Sequence, residues 1–167
     1  MLLSMTPFEC TRCGKCCMNA TEFLEIEKRL SGRNFACRMK ITGERFIASI
    51  EEEHLPLFND PAFRPPSSRW CPFLRPVAGT DEYICTVHTS RPQICRGFTC
   101  CTIRIYGSDG RAVGSVKGRR SLSTADAALK DCWENHISSI VTDEEKTWKE
   151  QVRAALREHG YRVEIYE

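Results

Sequence analysis

Four sulfurs lie within eight residues near the N-terminus, in the run Cys10-Thr-Arg-Cys13-Gly-Lys-Cys16-Cys17. A second group follows far downstream: Cys71, Cys85, Cys95 and the adjacent pair Cys100 and Cys101. A C-x2-C turn brings two sulfurs onto one ion, and Cys16 extends the same bowl. Soft thiolates select zinc, Cu(I) or iron–sulfur clusters. The C-x2-C-x2-C spacing is also the local run that grips a 4Fe–4S cube, which takes a fourth sulfur from elsewhere in the chain. Either way the second group must return to the first. The two groups are therefore expected to meet around metal, and that meeting is expected to make the fold.

Neighbouring side chains on extended backbone point to opposite sides. Cys16-Cys17 and Cys100-Cys101 are thus expected to chelate one ion poorly. Two neighbouring tetrahedral sites, or one cluster with spare thiols, would accommodate both pairs.

Eleven cysteines in 167 residues is an odd number, so complete internal pairing as disulfides is impossible. The opening residues carry no basic leader and no long apolar stretch, which predicts no signal peptide and a cytoplasmic location. Clustered thiols in a reducing compartment read as metal ligands or redox centres. No run approaches the ~20 apolar residues of a membrane span. With 41% hydrophobic and 28% charged residues the chain is expected to fold. A formal charge of +2 argues for neither nucleic acid nor a membrane surface.

Residues 21–30 have helix-like spacing at Phe23, Leu24, Ile26 and Leu30. Two short strands are predicted over 35–40 and 46–50, with a turn at 41–45. The stretch 51–68 holds Pro56, Pro61, Pro65 and Pro66 and is expected to lack regular structure. Residues 83–88 look strand-like, and a hairpin is predicted from 102–106 and 111–116 around Gly107-Ser-Asp-Gly110. Helical periodicity runs over 123–140 and again from Thr142-Asp143 to His159, with Gly160 as its stop. Residues 161–166 alternate and suit a final edge strand. The fold class is α+β: a small metal-centred domain with cysteine-bearing loops, short strands and two C-terminal helices. Residues 1–120 form the expected cysteine-cluster domain and 121–167 a helical extension packed on the same core.

His88 follows Cys85 by three residues and could supply nitrogen, although a loop histidine is the more ordinary reading. Arg12, Lys15, Arg91 and Arg96 stand beside the cysteines, where they could offset a four-thiolate centre of net charge about −2. The run Lys117-Gly-Arg119-Arg120 reads as a solvated loop rather than a nucleic-acid patch. There is no phosphate-binding glycine loop, dinucleotide fingerprint or nucleophilic serine elbow.

The signposts Cys10-x2-Cys13-Gly-x-Cys16-Cys17, Cys71-Pro-Phe-Leu, Cys85, Arg91-Pro, Cys95-Arg and Phe98-x-Cys100 resemble the YkgJ-type cysteine-cluster family. This is the CxxCxxCC group described as zinc- or iron-chelating. The resemblance covers residues 8–101 and implies eight ligands: Cys10, Cys13, Cys16, Cys17, Cys71, Cys85, Cys95 and Cys100. Cys101 is extra, and His88 stands where the family usually has a tyrosine. The larger flagellin lysine N-methylases look like relatives and imply an iron–sulfur centre. Their activity does not transfer to a chain too short for their whole apparatus.

Three classes of function follow. The first, preferred here, is a cytosolic metal-binding protein whose cysteines chelate an iron–sulfur cluster, of the 4Fe–4S type, or Zn²⁺, with iron–sulfur placed ahead. The second is an iron–sulfur-dependent redox or protein-modifying enzyme, and enzymatic activity is left open. The third is a zinc-ribbon-like adaptor for nucleic acid, which the weak overall charge disfavours. No protein partner is legible.

Cys37 and Cys132 stand apart from the other sulfurs, each in an apolar periodic setting, and are expected to be buried side chains rather than ligands. Serine substitution at either should leave metal stoichiometry unchanged in a folded variant. Loss of metal would overturn that assignment.

Overall fold

The computed structural model describes residues 3, 4 and 7–166. In chain order its strands are β1 (Leu3–Ser4), β2 (Leu24–Arg29), β3 (Asn34–Met39), β4 (Arg45–Ser49), β5 (Leu74–Pro76), β6 (Tyr83–Cys85), β7 (Cys101–Tyr106), β8 (Ala112–Lys117), β9 (Ser121–Thr124) and β10 (Arg162–Ile165). The helices are α1 (Leu55–Phe58), α2 (Gln93–Gly97), α3 (Ala127–Cys132) and α4 (Glu145–Glu158). Strands and two joined C-terminal helices make an α+β fold, as the mixed periodicity requires. The chain forms two compact units, one of residues 12–98 and one of Met1–Thr11 with Thr99–Glu167.

The unit of residues 12–98 is built on the antiparallel meander β2-β3-β4 and the small hairpin β5-β6. Phe35, Cys37 and Met39 alternate along β3 and are buried, as period two demands. Phe35 meets Phe58 and Phe73 at ring-centroid distances of 5.7 and 5.6 Å. Ala48, Ile50, Trp70, Leu74 and Val87 complete the core. The strands expected near 35–40 and 46–50 are present. The proline-rich stretch is mostly irregular, with a single-turn α1 that carries Pro56 in its first turn, where a missing N–H costs nothing.

Residues 21–30, read above as a helix, are instead a short 3-10 turn (Ala20–Glu22) followed by strand β2. The reason is in the pairing. Leu24 and Ile26 alternate with Glu25 and Glu27 and face Met39 and Cys37 of β3. A bulge between Ile26 and Lys28 then breaks the alternation. One extra residue in a strand disturbs period two, and the remaining apolar spacing mimics a helix.

The other unit is a five-stranded antiparallel sheet, order β1-β9-β8-β7-β10, with α3 and α4 in its core. The predicted hairpin is β7-β8, and β10 is the edge strand. Ile103, Ile105, Val116 and Leu122 from the sheet bury with Leu129, Trp148, Val152 and Leu156 from the helices. Trp133 and Trp148 pack edge to face at 6.3 Å. The first helix starts later than its periodicity suggests, because β9 claims Ser121–Thr124 for β8 and buries Leu122. Asp126 then caps α3, its carboxylate accepting from Leu129 N at 2.7 Å. A π-helical turn, Trp133–Ile137, continues the helix. The second helix begins at Glu145, without a side-chain cap from Thr142 or Asp143. It ends as foreseen: Gly160 N bonds Arg157 O and Tyr161 N bonds Leu156 O.

Leu156 is fully buried and Val141 is 81% exposed. Leu156→Ala should cost about 2–5 kcal/mol, and Val141→Ala should stay within about 0.5 kcal/mol. Urea unfolding followed by tryptophan fluorescence measures both, and equal effects would contradict the packing described.

Candidate metal centre

Six of the eight candidate ligands, Cys13, Cys16, Cys17, Cys71, Cys85 and Cys95, lie in the unit of residues 12–98. The first cysteine loop is shaped by two left-handed residues flanking Cys13, Arg12 (φ 56°) and Gly14 (φ 70°). Arg12 carries a side chain in a region that costs about 1–2 kcal/mol outside glycine. Its carbonyl accepts from Tyr83 N at 2.8 Å. Gly14 is buried against Tyr83, and a Cβ there would stand 2.9 Å from the ring. The Gly14 carbonyl accepts from both Cys17 N (2.8 Å) and Met18 N (3.0 Å), which winds residues 14–18 into a tight turn.

That turn corrects one expectation. Cys16 and Cys17 do not point apart; their sulfurs are 3.7 Å from each other. Opposite orientation belongs to extended backbone, and this backbone is coiled by the paired bonds to Gly14. A tetrahedral zinc site with Zn–S of about 2.3 Å has sulfur–sulfur edges of about 3.8 Å. The adjacent pair therefore fits one ion.

Backbone bonds then bring the second group in. Cys71 N donates to Cys17 O at 3.0 Å. Thr21 clasps the preceding residues, N to Arg69 O at 3.1 Å and Oγ1 to Ser68 O at 2.8 Å. Cys85 sits on β6 opposite Leu74 of β5, and Cys95 rides on α2. The sulfurs feel one another: Cys17 is influenced by Cys16, Cys71 and Cys85, and Cys95 by Cys16. Cys71 and Cys85 likewise both respond to Cys95.

The thiols are unequal. The hydrogen bond from Cys17 draws Cys16 down to about 6. The same contact, with burial, drives Cys17 well above the thiol range. Burial pushes Cys71 up to about 12 and Cys85 to about 11. Backbone hydrogen bonding near Phe73 and Leu74 opposes this at Cys71, as it does near Val87 at Cys85. Such N–H groups favour a charged sulfur, so these turns suit thiolates once a cation replaces the proton. Metal affinity there must fall with proton concentration.

Arg75 is a residue the sequence reading missed. It is 8% exposed, wedged against the rings of Phe58 and Phe63 at 4.6 and 4.3 Å. Its guanidinium bonds only carbonyls, those of Pro72, Leu74 and Phe58. Burial lowers its pKa and negative charge on Cys71 would raise it. A buried guanidinium needs a counter-charge, and a thiolate at Cys71 would supply it. The signal available in the sequence was Arg75 four residues after Cys71, an interval that only the turn makes meaningful. Of the four cations expected to offset charge, Arg91 acts on Cys85 and Cys95, where burial raises both thiols and the arginine's charge opposes that rise. Arg12 instead pairs with Glu82 at 3.7 Å.

Not everything converges. Cys10 and Cys100 belong to the other unit, where one turn holds both neighbourhoods: Arg119 N donates to Glu9 O (2.8 Å) and Gly118 N to Cys100 O (2.9 Å). Gly118 (φ 57°) tolerates no side chain, since a Cβ would lie 2.0 Å from Glu9 O. Cys101 begins β7, its thiol donating to Ile103 O. His88 is exposed, and burial with Arg91 lowers its pKa. Cys37 and Cys132 are buried within the two cores. Among the described residues no three cysteine sulfurs lie mutually within 4.8 Å; the one such trio of ligating side chains is Glu51, Glu53 and His54. No helix among the described residues is long and apolar enough to cross a membrane.

Residues 9–112 match the model of the CxxCxxCC family, whose description reads "Putative zinc- or iron-chelating domain". Neither the curated proteins nor the solved structures contain a match to the chain.

Gly14→Ala should place a methyl group into Tyr83 and strain a left-handed turn, at a cost above ~1–2 kcal/mol. The expected outcome is a large loss of bound metal by elemental analysis, with Gly43→Ala, at an open left-handed turn, keeping its metal. Equal retention in both variants would contradict the role given to this turn.

Proposed function

We propose that this chain, which belongs to the CxxCxxCC family, is a metal-binding protein in which the centre ties the cysteine loops of residues 12–98 together. Cys13, Cys16, Cys17, Cys71, Cys85 and Cys95 are the ligand candidates in that unit. Cys10 and Cys100 are added as ligands by the resemblance to the family pattern, and a reducing cytoplasm would keep all these thiols available to metal. The observation that carries the proposal is the 3.7 Å separation of the Cys16 and Cys17 sulfurs, with Cys71, Cys85 and Cys95 in electrostatic reach. Two close thiols in one turn, with three more carried by the segment before β5, by β6 and by α2, form a soft donor set that is highly charged as thiolates. A cation offsets that negative charge, and thiolate sulfur selects a soft or borderline one. Arg75 and Arg91 would take up the remainder.

Two metals fit, each on its own ground. The close pair suits a tetrahedral Zn²⁺ site. The wider spread of the other sulfurs suits an iron–sulfur cluster, whose ligands sit on separate irons, and the C-x2-C-x2-C run is of the kind that holds a 4Fe–4S cube. Anaerobic purification with elemental analysis and a visible spectrum separates them: iron, sulfide and a broad visible absorption for the cluster, zinc and no colour otherwise.

A structural centre contributes on the order of 10 kcal/mol of folding energy. Cys95→Ser should therefore release metal bound to Cys16 and Cys17 and raise protease sensitivity within residues 12–98. A variant that keeps both metal and resistance would sink the proposal.

A further inference from the structure

Arg75 is the middle residue of β5, and its side chain folds back onto the turn that carries Cys71. Nη1 donates to Pro72 O and to Leu74 O, both at 2.9 Å, and Nη2 donates to Phe58 O at 3.2 Å. Leu74 N in turn donates to Cys71 O at 3.1 Å. The guanidinium is therefore bonded to the same short turn that presents Cys71. With the rings of Phe58 and Phe63 against it, the planar group cannot swing out to water without breaking all of these contacts.

None of those partners balances its charge. Carbonyls and ring faces accept from a guanidinium or are polarised by it, but they carry no net charge. Among the described residues no carboxylate pairs with Arg75, and its buried Nε–H has no hydrogen-bond partner. The one ionisable side chain whose charge acts on Arg75 is Cys71. Buried charges are paired or stand beside metal sites. Arg75 thus asks for negative charge at Cys71, and its locked geometry keeps the demand there.

The amount of negative charge matters as well. A divalent ion held by two thiolates and two neutral donors has no net charge, and would leave Arg75 as unbalanced as before. Four thiolates around Zn²⁺, or around a 4Fe–4S core of charge 2+, leave about −2. Arg75 beside Cys71, and Arg91 acting on Cys85 and Cys95, supply two positive charges to match it. We propose that Arg75 sets the charge of the centre: it is a positioning residue that favours a ligand set of thiolates alone, with Cys71 among them, over one completed by a neutral nitrogen donor such as His88. The inference rests on the metal-binding reading above and concerns which donors complete the site.

The test uses the full chain purified anaerobically with its metal. X-ray absorption at the metal edge should show a first shell of sulfur, without nitrogen or oxygen. Equilibrium competition with a chelator then compares the parent with three variants. Arg75→Gln keeps an amide donor for the carbonyls but removes the charge. It should hold metal about 10–100-fold more weakly, the range for groups that act on a metal through its ligand. Arg75→Lys returns the charge without the planar fork and should recover most of the loss. Arg69→Gln removes an exposed cation paired with Glu22 at 3.0 Å, and should behave like the parent. Parent-like affinity in Arg75→Gln would overturn the proposal. So would an Arg75→Lys variant as weak as Arg75→Gln, or an equal loss in Arg69→Gln. A first shell containing nitrogen or oxygen would overturn it too, and that measurement stands even where Arg75→Gln is too unstable to purify. A parent chain that carries no metal would end the metal-binding reading and this inference with it; metal held in a mixed shell would end this inference alone.

Discussion

The hydrogen bond from Cys71 N to Cys17 O, 3.0 Å long, closes the loop on which the cysteine-bearing unit depends. With the Thr21 clasp on Ser68 and Arg69 it joins the two cysteine groups through backbone, without asking the sulfurs to do it. Loop-closure entropy grows only as the logarithm of length. A few backbone bonds together with the aromatic packing of Phe35, Phe58 and Phe73 can hold so distant a contact. The N-terminal turn is fastened a second time by Tyr83 N on Arg12 O, and the Tyr83 ring covers Gly14. The tyrosine also meets Trp70 edge to face at 5.5 Å. The core and the cysteine turn therefore share their supports.

Burial and charge pull against each other in this unit. Cys71 and Cys85 are pushed up by desolvation, while Arg75 is buried against carbonyls and the faces of Phe58 and Phe63, none of which carries a countercharge. Each half is costly by itself: a neutral thiol set leaves Arg75 without a counter-ion, and bare thiolates would repel one another. A soft cation bound by thiolates relieves both costs at once. Gly14 adopts left-handed backbone at no steric cost, and the strain of the same conformation at Arg12 is held by the bond from Tyr83 N to its carbonyl.

Much of the outline was legible. The hairpin β7-β8, the strands on either side of residues 41–45, the edge strand β10 and the Gly160 stop follow from periodicity and turn chemistry alone. Those signals are local, and local patterns survive into the folded state when the tertiary context agrees with them. Residues 21–30 failed because a bulge at Ile26/Lys28 broke the strand's alternation, and a bulge leaves no mark in composition. The start of α3 failed because Ser123 and Thr124 are as acceptable in a helix's first turn as in a strand. Only pairing with β8 decides between them.

For the candidate centre, the sequence by itself determined the donor type, the count of sulfurs and the requirement that two distant groups cooperate. Thiolate chemistry and C-x2-C spacing carry that information without a fold. The tertiary structure decided the rest. It turned Cys16 and Cys17 toward each other, because two bonds to Gly14 O coil the backbone that a linear reading takes as extended. It brought Arg75 into the cysteine unit's core and assigned Cys10 and Cys100 to the other unit. It made β4 the end of its sheet and tied Ser90 to Ser49 along that edge, since which strand ends a sheet depends on the whole topology. Spacing along a chain specifies which atoms can share an ion, and only the folded backbone specifies which of them face it.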